Sequence, residues 1–324
     1  MARGRFSVFG MGIELRCPAG TFEALAALWR GLLAIEPGGA ELSRIHCVID
    51  LEAGRSAPEL PAAGATFETS YLSVRKDGGS VVFGCGPSWL RAEGGEAVTG
   101  SLEDTFWSRP PAAQRDFFVA CFVTVGRQHG FWGLHANGVS RGPGGTLVVG
   151  PSGSGKTTLS LAMLGVGWRT LGDDSIVLQR EGDAVMAVAV RRLFAFTPTT
   201  IQRFPEVERG VVAGLGPDEK ILTDLAPIYP DSFQRSCRPS VLLFPRIVDE
   251  QLSQSSALSR GQAMGALMQQ SGSPIFLDAA LVRPQMEVLA SLVRQTRAFE
   301  VRLGRDLLER PGDVVRRLED LRGE

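Results

Sequence analysis

Residues 146–166, which read TLVVGPSGSGKTTLSLAMLGV, are the stretch that decides the fold. They predict a short apolar strand, a loop dense in glycine and serine, and then an amphipathic helix. Gly150, Gly155, Lys156 and Thr157 satisfy the pattern GxxxxGK[ST], and the flanking strand and helix supply the context that this pattern requires. A chance glycine-rich loop is the alternative, but only three lysines occur in the chain, and one of them stands at the lysine position of the pattern.

The residue types of this loop suit a nucleoside triphosphate. Glycines permit backbone turns that a Cβ would block, so successive N–H groups can point at one anion, and the following helix adds the positive end of its dipole. Lys156 would place a mobile charge on the β- and γ-phosphates, and the Thr157 hydroxyl is positioned for Mg²⁺. We therefore predict ATP and Mg²⁺ as ligands, with nucleotide contacts from Gly150, Pro151, Ser152, Gly153, Ser154, Gly155, Lys156, Thr157 and Thr158.

Two further signals lie on either side of the loop. Asp173 and Asp174 follow Lys156 at a separation that fits a helix and a return to the neighbouring strand, so their carboxylates can come back to the metal and the γ-phosphate. One would stay near the metal while the other accepts a proton, although a turn or helix cap is the ordinary role of such a pair. His135, in the strand before the loop, is placed to touch the phosphates or to orient an acid. The alternative is an ordinary hydrogen-bonded histidine.

Composition limits the possible partners. With 44% hydrophobic and 21% charged residues, the chain of 324 residues has the composition of a soluble globular protein. A net charge of −1 gives no general attraction to nucleic acid or to an acidic membrane surface. The five cysteines lack CxxC spacing, which favours reduced structural residues. We expect a cytoplasmic protein, because no apolar stretch is long enough to span a membrane and the N-terminus lacks a signal-peptide pattern; a homo-oligomer is left open.

Pro110 and Pro111 mark a predicted domain boundary. Residues 1–110 predict a smaller α/β domain with mostly antiparallel strands, a candidate for substrate or partner recognition, and residues 111–324 predict the nucleotide-binding catalytic domain. Residues 5–17 read as a strand, and Lys76-Asp77-Gly78-Gly79 reads as a hairpin turn.

Further along, the spacing of apolar residues predicts strands at 240–244 and 274–277. Residues 206–220 carry several glycines and charges and predict a mobile loop, suited to act as a lid.

The order of these motifs resembles a known family. His135-Ala136-Asn137-Gly138-Val139, a glycine-rich turn, GPSGSGKTT and Gly172-Asp173-Asp174-Ser175 are similar to the catalytic domain of HPr kinase/phosphorylase, and closer still to the shorter kinase-like relatives encoded beside lasso peptide and other ribosomal peptide pathways. The resemblance covers about residues 131–179, and the rest of the C-terminal half in outline. It implies a P-loop kinase domain of HPr kinase type, with a mixed sheet and flanking helices. It also implies roles for Lys156 and Thr157 at nucleotide and metal, for Asp173 as general base, for Asp174 as metal-side acid and for His135 as active-site histidine.

The sequence also departs from that family. Thr158 stands where an acidic residue usually follows the lysine and hydroxyl pair, the segment linked to phosphorolysis has no clear counterpart, and the N-terminal part does not resemble that of the HPr enzyme. The resemblance therefore implies a Mg²⁺-dependent kinase that transfers the γ-phosphoryl group of ATP to a Ser hydroxyl of another peptide, such as a lasso or other ribosomal precursor. An ATP-hydrolysing or ATP-sensing regulator, and a kinase of a free amino acid or small metabolite, are the alternatives.

Overall fold

A computed structural model describes residues 1–37, 44–58, 65–142, 144–215, 220–271 and 279–322. Packing divides these residues into two compact units of mixed α/β structure. Unit 1 contains the described residues of Met1–Phe131 together with those of two short later segments, Ala213–Lys220 and Ser273–Leu281. Unit 2 contains those of Trp132–Val212, Ile221–Gly272 and Val282–Glu324. Within the described ranges, no helix combines the length and the apolar character needed to cross a membrane.

The described residues among the first 131 form strands and three helices. They are β1 (Ala2–Val8), β2 (Met11–Cys17), α1 (Ala19–Leu32), β3 (Ile35–Pro37), β4 (Cys47–Leu51), β5 (Ala65–Glu68), β6 (Ser73–Asp77), β7 (Ser80–Cys85), β8 (Ser88–Glu93), β9 (Ala97–Ser101), α2 (Asp104–Trp107) and α3 (Pro111–Arg127).

One sheet joins all these strands in the order β3-β1-β2-β4-β9-β8-β7-β6-β5. Its pairs are antiparallel except β2 with β4 and β4 with β9. Gly78 and Gly79 connect β6 to β7 as a two-residue hairpin turn, which confirms the turn predicted there. The N-terminal sheet is therefore mostly antiparallel, as the sequence predicts.

Helix α3 belongs to unit 1, so the division between the units falls at residue 131 and not at the predicted 110. Trp29 of α1 makes edge-to-face contacts with Phe118 and Phe122 of α3, with ring centroids 5.3 and 5.4 Å apart. Burial of large aromatic side chains stabilises this cluster and ties α3 to the N-terminal sheet. The Pro110-Pro111 pair begins a helix, as a proline at the first helical position does.

The remaining elements begin at Trp132. They are β10 (Trp132–Leu134), β11 (Ala136–Arg141), β12 (Gly144–Val149), α4 (Lys156–Leu164), β13 (Arg169–Gly172), β14 (Ile176–Glu181), β15 (Ala184–Ala189), β16 (Phe194–Phe196), α5 (Pro198–Arg203), β17 (Val211–Leu215), β18 (Ile221–Thr223), β19 (Ser236–Cys237), β20 (Pro239–Ile247), β21 (Gln254–Ala257), α6 (Arg260–Ser271), α7 (Ala279–Gln295), β22 (Arg297–Leu303), α8 (Asp306–Glu309) and α9 (Pro311–Glu319).

The main sheet of unit 2 has the order β13-β11-β12-β20-β22-β21. Its centre is parallel, since β12 pairs with β20 and β20 with β22 in the same direction, and its edges are antiparallel. A second sheet, β10-β14-β15-β19, is antiparallel. The prediction of a mixed sheet with flanking helices is confirmed at this level.

Helix α4 is buried on two faces. Leu159 and Met163, four residues apart, pack into a core cluster with side chains of β11, β12, β20 and β22. Leu161 and Leu164 pack into a second cluster with Phe194 and other residues that follow β15. Because two cores hold this helix, its first turn, and with it Lys156, has a fixed position.

Part of the segment predicted as a mobile lid, residues 206–220, forms regular secondary structure. Pro205–Gly210 is a 3₁₀-helix and Val211–Leu215 is strand β17, so these residues are not an irregular loop. Residues 216–219 of the same prediction, and the whole predicted strand at 274–277, lie outside the described residues. The strand predicted at 240–244 lies within β20.

Candidate functional site

The loop between β12 and α4 has the backbone of an anion cradle. Gly153 and Gly155 adopt φ angles of +80° and +99°, which L side chains rarely tolerate. A Cβ on Gly155 would also lie 2.7 Å from Leu303 Cδ1. The first helical bond of α4 runs from Leu159 N to Gly155 O at 2.9 Å, so the N–H groups of residues 155–158 have no acceptor within the helix. These N–H groups and the helix dipole favour an anion at this end.

Lys156 is the first residue of α4, at the end of this loop. Its side chain is only 4% exposed, and Nζ donates hydrogen bonds to Gly150 O at 2.8 Å and Pro151 O at 3.1 Å. Nζ also lies 2.9 Å from His135 Nε2 and 3.5 Å from Asp174 Oδ1. The ammonium group is therefore held where a terminal phosphate would meet it.

The acidic doublet follows β13, and its first member faces the phosphate loop. Asp173 is 2% exposed, and its Oδ1 accepts a hydrogen bond from Thr157 Oγ1 at 3.1 Å. Its Oδ2 accepts from the backbone N–H of Ala195 at 3.2 Å. Gly172 makes this placement possible, because its φ is +133° and a Cβ there would lie 2.7 Å from Arg191 O. Both oxygens of Asp173 thus have fixed partners.

Asp174, the second member of the doublet, has different partners. Asp174 has a φ of +60°, a conformation that aspartate tolerates better than most residues. Its Oδ1 lies 3.5 Å from Lys156 Nζ and 3.6 Å from His135 Nε2, and its side chain is 20% exposed. Adjacent residues therefore present their carboxylates to different partners, Asp173 to the Thr157 hydroxyl and Asp174 to the lysine and histidine.

His135 carries its ring proton on Nδ1. Nδ1 lies 3.0 Å from the backbone O of Asp174, and a carbonyl oxygen only accepts, so Nδ1 must donate. Nε2 is then free to accept from Lys156 Nζ. Burial lowers the pKa of His135 and the Lys156 charge adds to this effect, while the Asp174 carboxylate acts in the opposite direction. The ring is accordingly neutral at pH 7.

Asn137 and Ser160 are site residues that the sequence did not single out. Asn137 is fully buried on β11, where its Oδ1 accepts from the backbone N–H of Asp174 at 3.0 Å. Its Nδ2 donates to Ser160 Oγ on α4 at 3.2 Å, and Ser160 is also fully buried. This pair links the phosphate-loop helix to the acidic doublet. The available signal was an asparagine in the strand before the phosphate loop and a serine between two leucines of the helix after it.

The structure places the residues predicted for nucleotide binding, metal binding and catalysis close to one another. The glycines and serines of the predicted cradle form the turn itself, and Thr158 lies in the first turn of α4. One connected set of contacts joins His135, Lys156, Thr157, Asp173 and Asp174.

These side chains fit a magnesium ion that binds together with a nucleotide. Among the described residues, no group of three or more His, Cys, Asp or Glu side chains is arranged to hold a metal by itself. Mg²⁺ is usually bound through one or two carboxylates together with substrate phosphates, and it prefers oxygen ligands. The Thr157 hydroxyl and the Asp173 carboxylate, already in contact beside the cradle, are such a donor set.

Comparison with known proteins finds similarity at the level of structure. The chain matches no protein-family model and no curated protein. Among solved structures it is similar to the Hpr(Ser) kinase/phosphatase from Coxiella burnetii, with 13% sequence identity and a TM-score of 0.30, over 58% of this chain and 95% of that one.

Proposed function

We propose that the protein is a Mg²⁺-dependent kinase that transfers the γ-phosphoryl group of ATP to a Ser hydroxyl of a peptide. The convergence of Lys156 Nζ, His135 and Asp174 beside the first residues of a phosphate loop, with the Thr157–Asp173 pair close to them, is the observation that carries the proposal. The sequence resemblance described above favours a precursor peptide of a ribosomal pathway as the acceptor.

ATP binds through the loop and the first turn of α4. The N–H groups of residues 155–158 face the α- and β-phosphates, and Lys156 faces the β- and γ-phosphates. Neutral His135 and the two loop carbonyls hold the ammonium group in place without cancelling its charge. That charge stabilises the negative charge that develops on the phosphates during transfer.

Thr157 and Asp173 would hold the metal. When bound, Mg²⁺ supplies further neutralisation of phosphate charge. The resemblance assigned the metal-side role to Asp174 and the base role to Asp173. The geometry favours the exchange of these roles, because Asp173 is buried against Thr157 whereas Asp174 is partly exposed beside Lys156.

In the transfer step, the acceptor hydroxyl oxygen forms a bond to the γ-phosphorus. The bond from that phosphorus to the β–γ bridging oxygen breaks, and its electron pair leaves with ADP. The proton of the hydroxyl passes to the Asp174 carboxylate, which therefore acts as general base. The products are a phosphoserine peptide and ADP.

A transfer assay tests this function. The protein is incubated with Mg²⁺, ATP labelled at the γ-phosphate and a pool of Ser-containing peptides, and label is followed in peptide and in free phosphate. We expect label in peptide, dependent on Mg²⁺ and abolished by Lys156→Ala. Asp183→Asn, in the exposed turn between β14 and β15, is the control and should leave transfer unchanged. Label found in free phosphate alone would contradict the kinase and point to an ATPase.

A further inference from the structure

The two ends of the phosphate cradle have different neighbours. Lys156 Nζ, which faces the β- and γ-phosphates, donates to the backbone oxygens of Gly150 and Pro151 at the beginning of the loop. His135 Nε2 lies 2.9 Å from the same Nζ. The N–H groups of residues 155–158, where the loop enters α4, face the α- and β-phosphates. Because the nucleoside is joined to the α-phosphate, it leaves the cradle beside the first turn of α4.

The order of the main sheet offers two sides for a nucleotide that is bound at the end of β12. On one side, His135 precedes β11 and the acidic doublet follows β13, and these residues surround the reactive phosphate. On the other side, β20 and β22 run parallel to β12, so the loops that follow them open at the same edge as the phosphate loop. Ligands of open α/β sheets bind outside the carboxyl ends of such strands. The side of β20 and β22 is therefore available to the nucleoside.

Ile247, the last residue of β20, lies next to the first turn of α4. Its Cγ1 is 3.2 Å from the position that a Cβ on Gly155 would take. Ile247 is nevertheless 55% exposed, and Leu252, in the loop that follows β20, is 50% exposed. These two residues present aliphatic surface to solvent at the end of the cradle where the nucleoside begins. The flat face of a base lowers its free energy by covering such surface.

The loop that carries Leu252 is held in a fixed shape. The backbone N–H of Arg305, just after β22, donates to Glu250 O at 2.8 Å. A Cβ on Gly304 would lie 2.7 Å from the backbone carbonyl carbon of Leu252, so glycine permits the two loops to pack this closely. A surface that is already ordered binds a ligand at a smaller cost in conformational entropy than a loop that must become ordered.

The charged side chains of this loop are paired with neighbours. Asp249 Oδ1 accepts from Arg305 Nε at 3.1 Å, and Glu250 accepts from Arg302. Each pair has no net charge. The aliphatic surface therefore suits an uncharged nucleoside, while the phosphates bind at the cradle.

We propose that the nucleoside of the donor binds on the aliphatic surface of Ile247 and Leu252, with one face of its base against these side chains. The assignment rests on the proposed kinase function and names the residues that distinguish a nucleoside triphosphate from phosphate alone. The competing position is a cavity of about 530 Å³ on the first half of the phosphate loop, lined also by Ala266 of α6. Ile247 lines this cavity as well and Leu252 does not, so substitutions of Leu252 and Ala266 distinguish the two positions.

A comparison of ATP with inorganic tripolyphosphate, which has the phosphates and no nucleoside, tests the assignment. Both dissociation constants are measured by calorimetry on the full-length protein with Mg²⁺, and the ratio of tripolyphosphate to ATP reports on the nucleoside. Leu252→Asn and Ile247→Asn remove aliphatic surface without adding charge. Val282→Asn, at a position of α7 that is 43% exposed, is the matched control, and Ala266→Trp fills the cavity.

We expect Leu252→Asn to lower the ratio at least threefold and Ile247→Asn to lower it at least fivefold. The dissociation constant of tripolyphosphate should stay within twofold of wild type in Leu252→Asn, which lies further along the chain from β20. Val282→Asn and Ala266→Trp should keep the wild-type ratio. An unchanged ratio in Leu252→Asn, or a ratio that Ala266→Trp lowers at least threefold, would overturn the assignment.

Photolabelling locates the nucleoside without any substitution. Wild-type protein is irradiated with 8-azido-ATP and Mg²⁺, and the labelled residues are identified by mass spectrometry. We expect label within residues 247–253. Label confined to residues 262–270, which carry the α6 lining of the cavity, would also overturn the assignment.

The outcome is separable from that of the kinase proposal. A ratio that falls in Leu252→Asn, without transfer of label to peptide by wild type, would keep the nucleoside site and reject the kinase. Transfer by Leu252→Asn with an unchanged KM for ATP would keep the kinase and reject the nucleoside site.

Discussion

Asp173 and Asp174 are adjacent in the chain, but their carboxylates have different environments. Both oxygens of Asp173 accept hydrogen bonds in a buried position, whereas Asp174 is partly exposed between His135 and Lys156. We predict that Asp174→Asn lowers kcat about 10²- to 10⁴-fold, the usual contribution of a general base, with little change in ATP affinity. Asp173→Asn should instead raise the Mg²⁺ concentration needed for half-maximal activity. The measurement is steady-state kinetics at varied Mg²⁺; a normal kcat for Asp174→Asn would return the base role to Asp173.

Protonation of His135 links the stability of the protein to pH, and both can be measured. Burial and the charge of Lys156 hold the pKa of His135 below its ordinary value of 6.5. The unfolded chain therefore binds a proton first as the pH falls. The contribution of His135 to the free energy of unfolding is fully present above pH 6.5 and decreases as the pH falls from 6.5 through the folded pKa. An NMR titration of the ring proton, assigned with His135→Gln, should give a midpoint below 6.5; a midpoint at or above 6.5 would contradict this arrangement.

At the scale of residues, the sequence predicts the side chains with chemical roles better than it predicts the side chains that hold them in position. Lys156 and Thr157 were identifiable because a phosphate cradle needs these residue types at a fixed spacing. Asn137 gave no such signal, since a single asparagine in a strand has many possible roles. Only the pairing of β11 with its neighbours shows that its amide bridges Asp174 and Ser160.

At the scale of elements, both ends of α4 depend on glycine, but for different reasons. At the N-terminal end, Gly155 combines a φ of +99° with close contact to Leu303. At the C-terminal end, Gly167 has a φ of +89° with nothing near its Cβ position, and the bonds Gly167 N to Leu164 O and Trp168 N to Met163 O form a Schellman motif.

These two glycines form a matched pair for mutation. We predict that Gly167→Ala costs about 1 kcal/mol of stability, from backbone strain alone, and leaves ATP affinity unchanged. Gly155→Ala should cost more and weaken ATP binding at least tenfold, because the added Cβ displaces the turn that aims the N–H groups. Chemical denaturation and calorimetric titration of ATP measure the two effects. Equal ATP affinity for the two variants would show that the loop tolerates the change.

Prediction of elements failed where a turn or a packing partner had no distinctive local signal. Residues 5–17 read as one strand, yet Phe9 and Gly10, at φ values of +43° and +92°, turn the chain between β1 and β2. The turn is hard to recognise in the sequence because Phe9 is a large apolar residue. Its ring is buried, with its centroid 5.6 Å from that of Phe131, as is usual for a side chain on the buried face of a strand. The two-glycine turn at 78–79 was predicted correctly, since glycine at both turn positions is a strong hairpin signal.

At the scale of the whole molecule, the mixed α/β class followed from the order of motifs, but the pairing of distant strands did not. β12 lies beside β20, and β20 beside β22, although a long stretch of chain separates each pair. Which apolar strands become neighbours depends on the packing of both sheet faces, which local periodicity does not encode. The division at residue 131 has the same origin, because the aromatic contacts of α3 decide it.

The division into two units predicts where bound nucleotide stabilises the chain. Every residue of the candidate site lies in unit 2, so Mg²⁺-ATP should stabilise that unit, by about 2.7 kcal/mol at a concentration 100 times the dissociation constant. This corresponds to amide exchange roughly 100-fold slower wherever exchange requires opening of the site. We expect slowing in β12 and α4 and unchanged rates in β4 and β9 of unit 1, measured by hydrogen–deuterium exchange with mass spectrometry. Equal slowing in β4 and β9 would show that the two units open together, which would contradict their separate stabilisation.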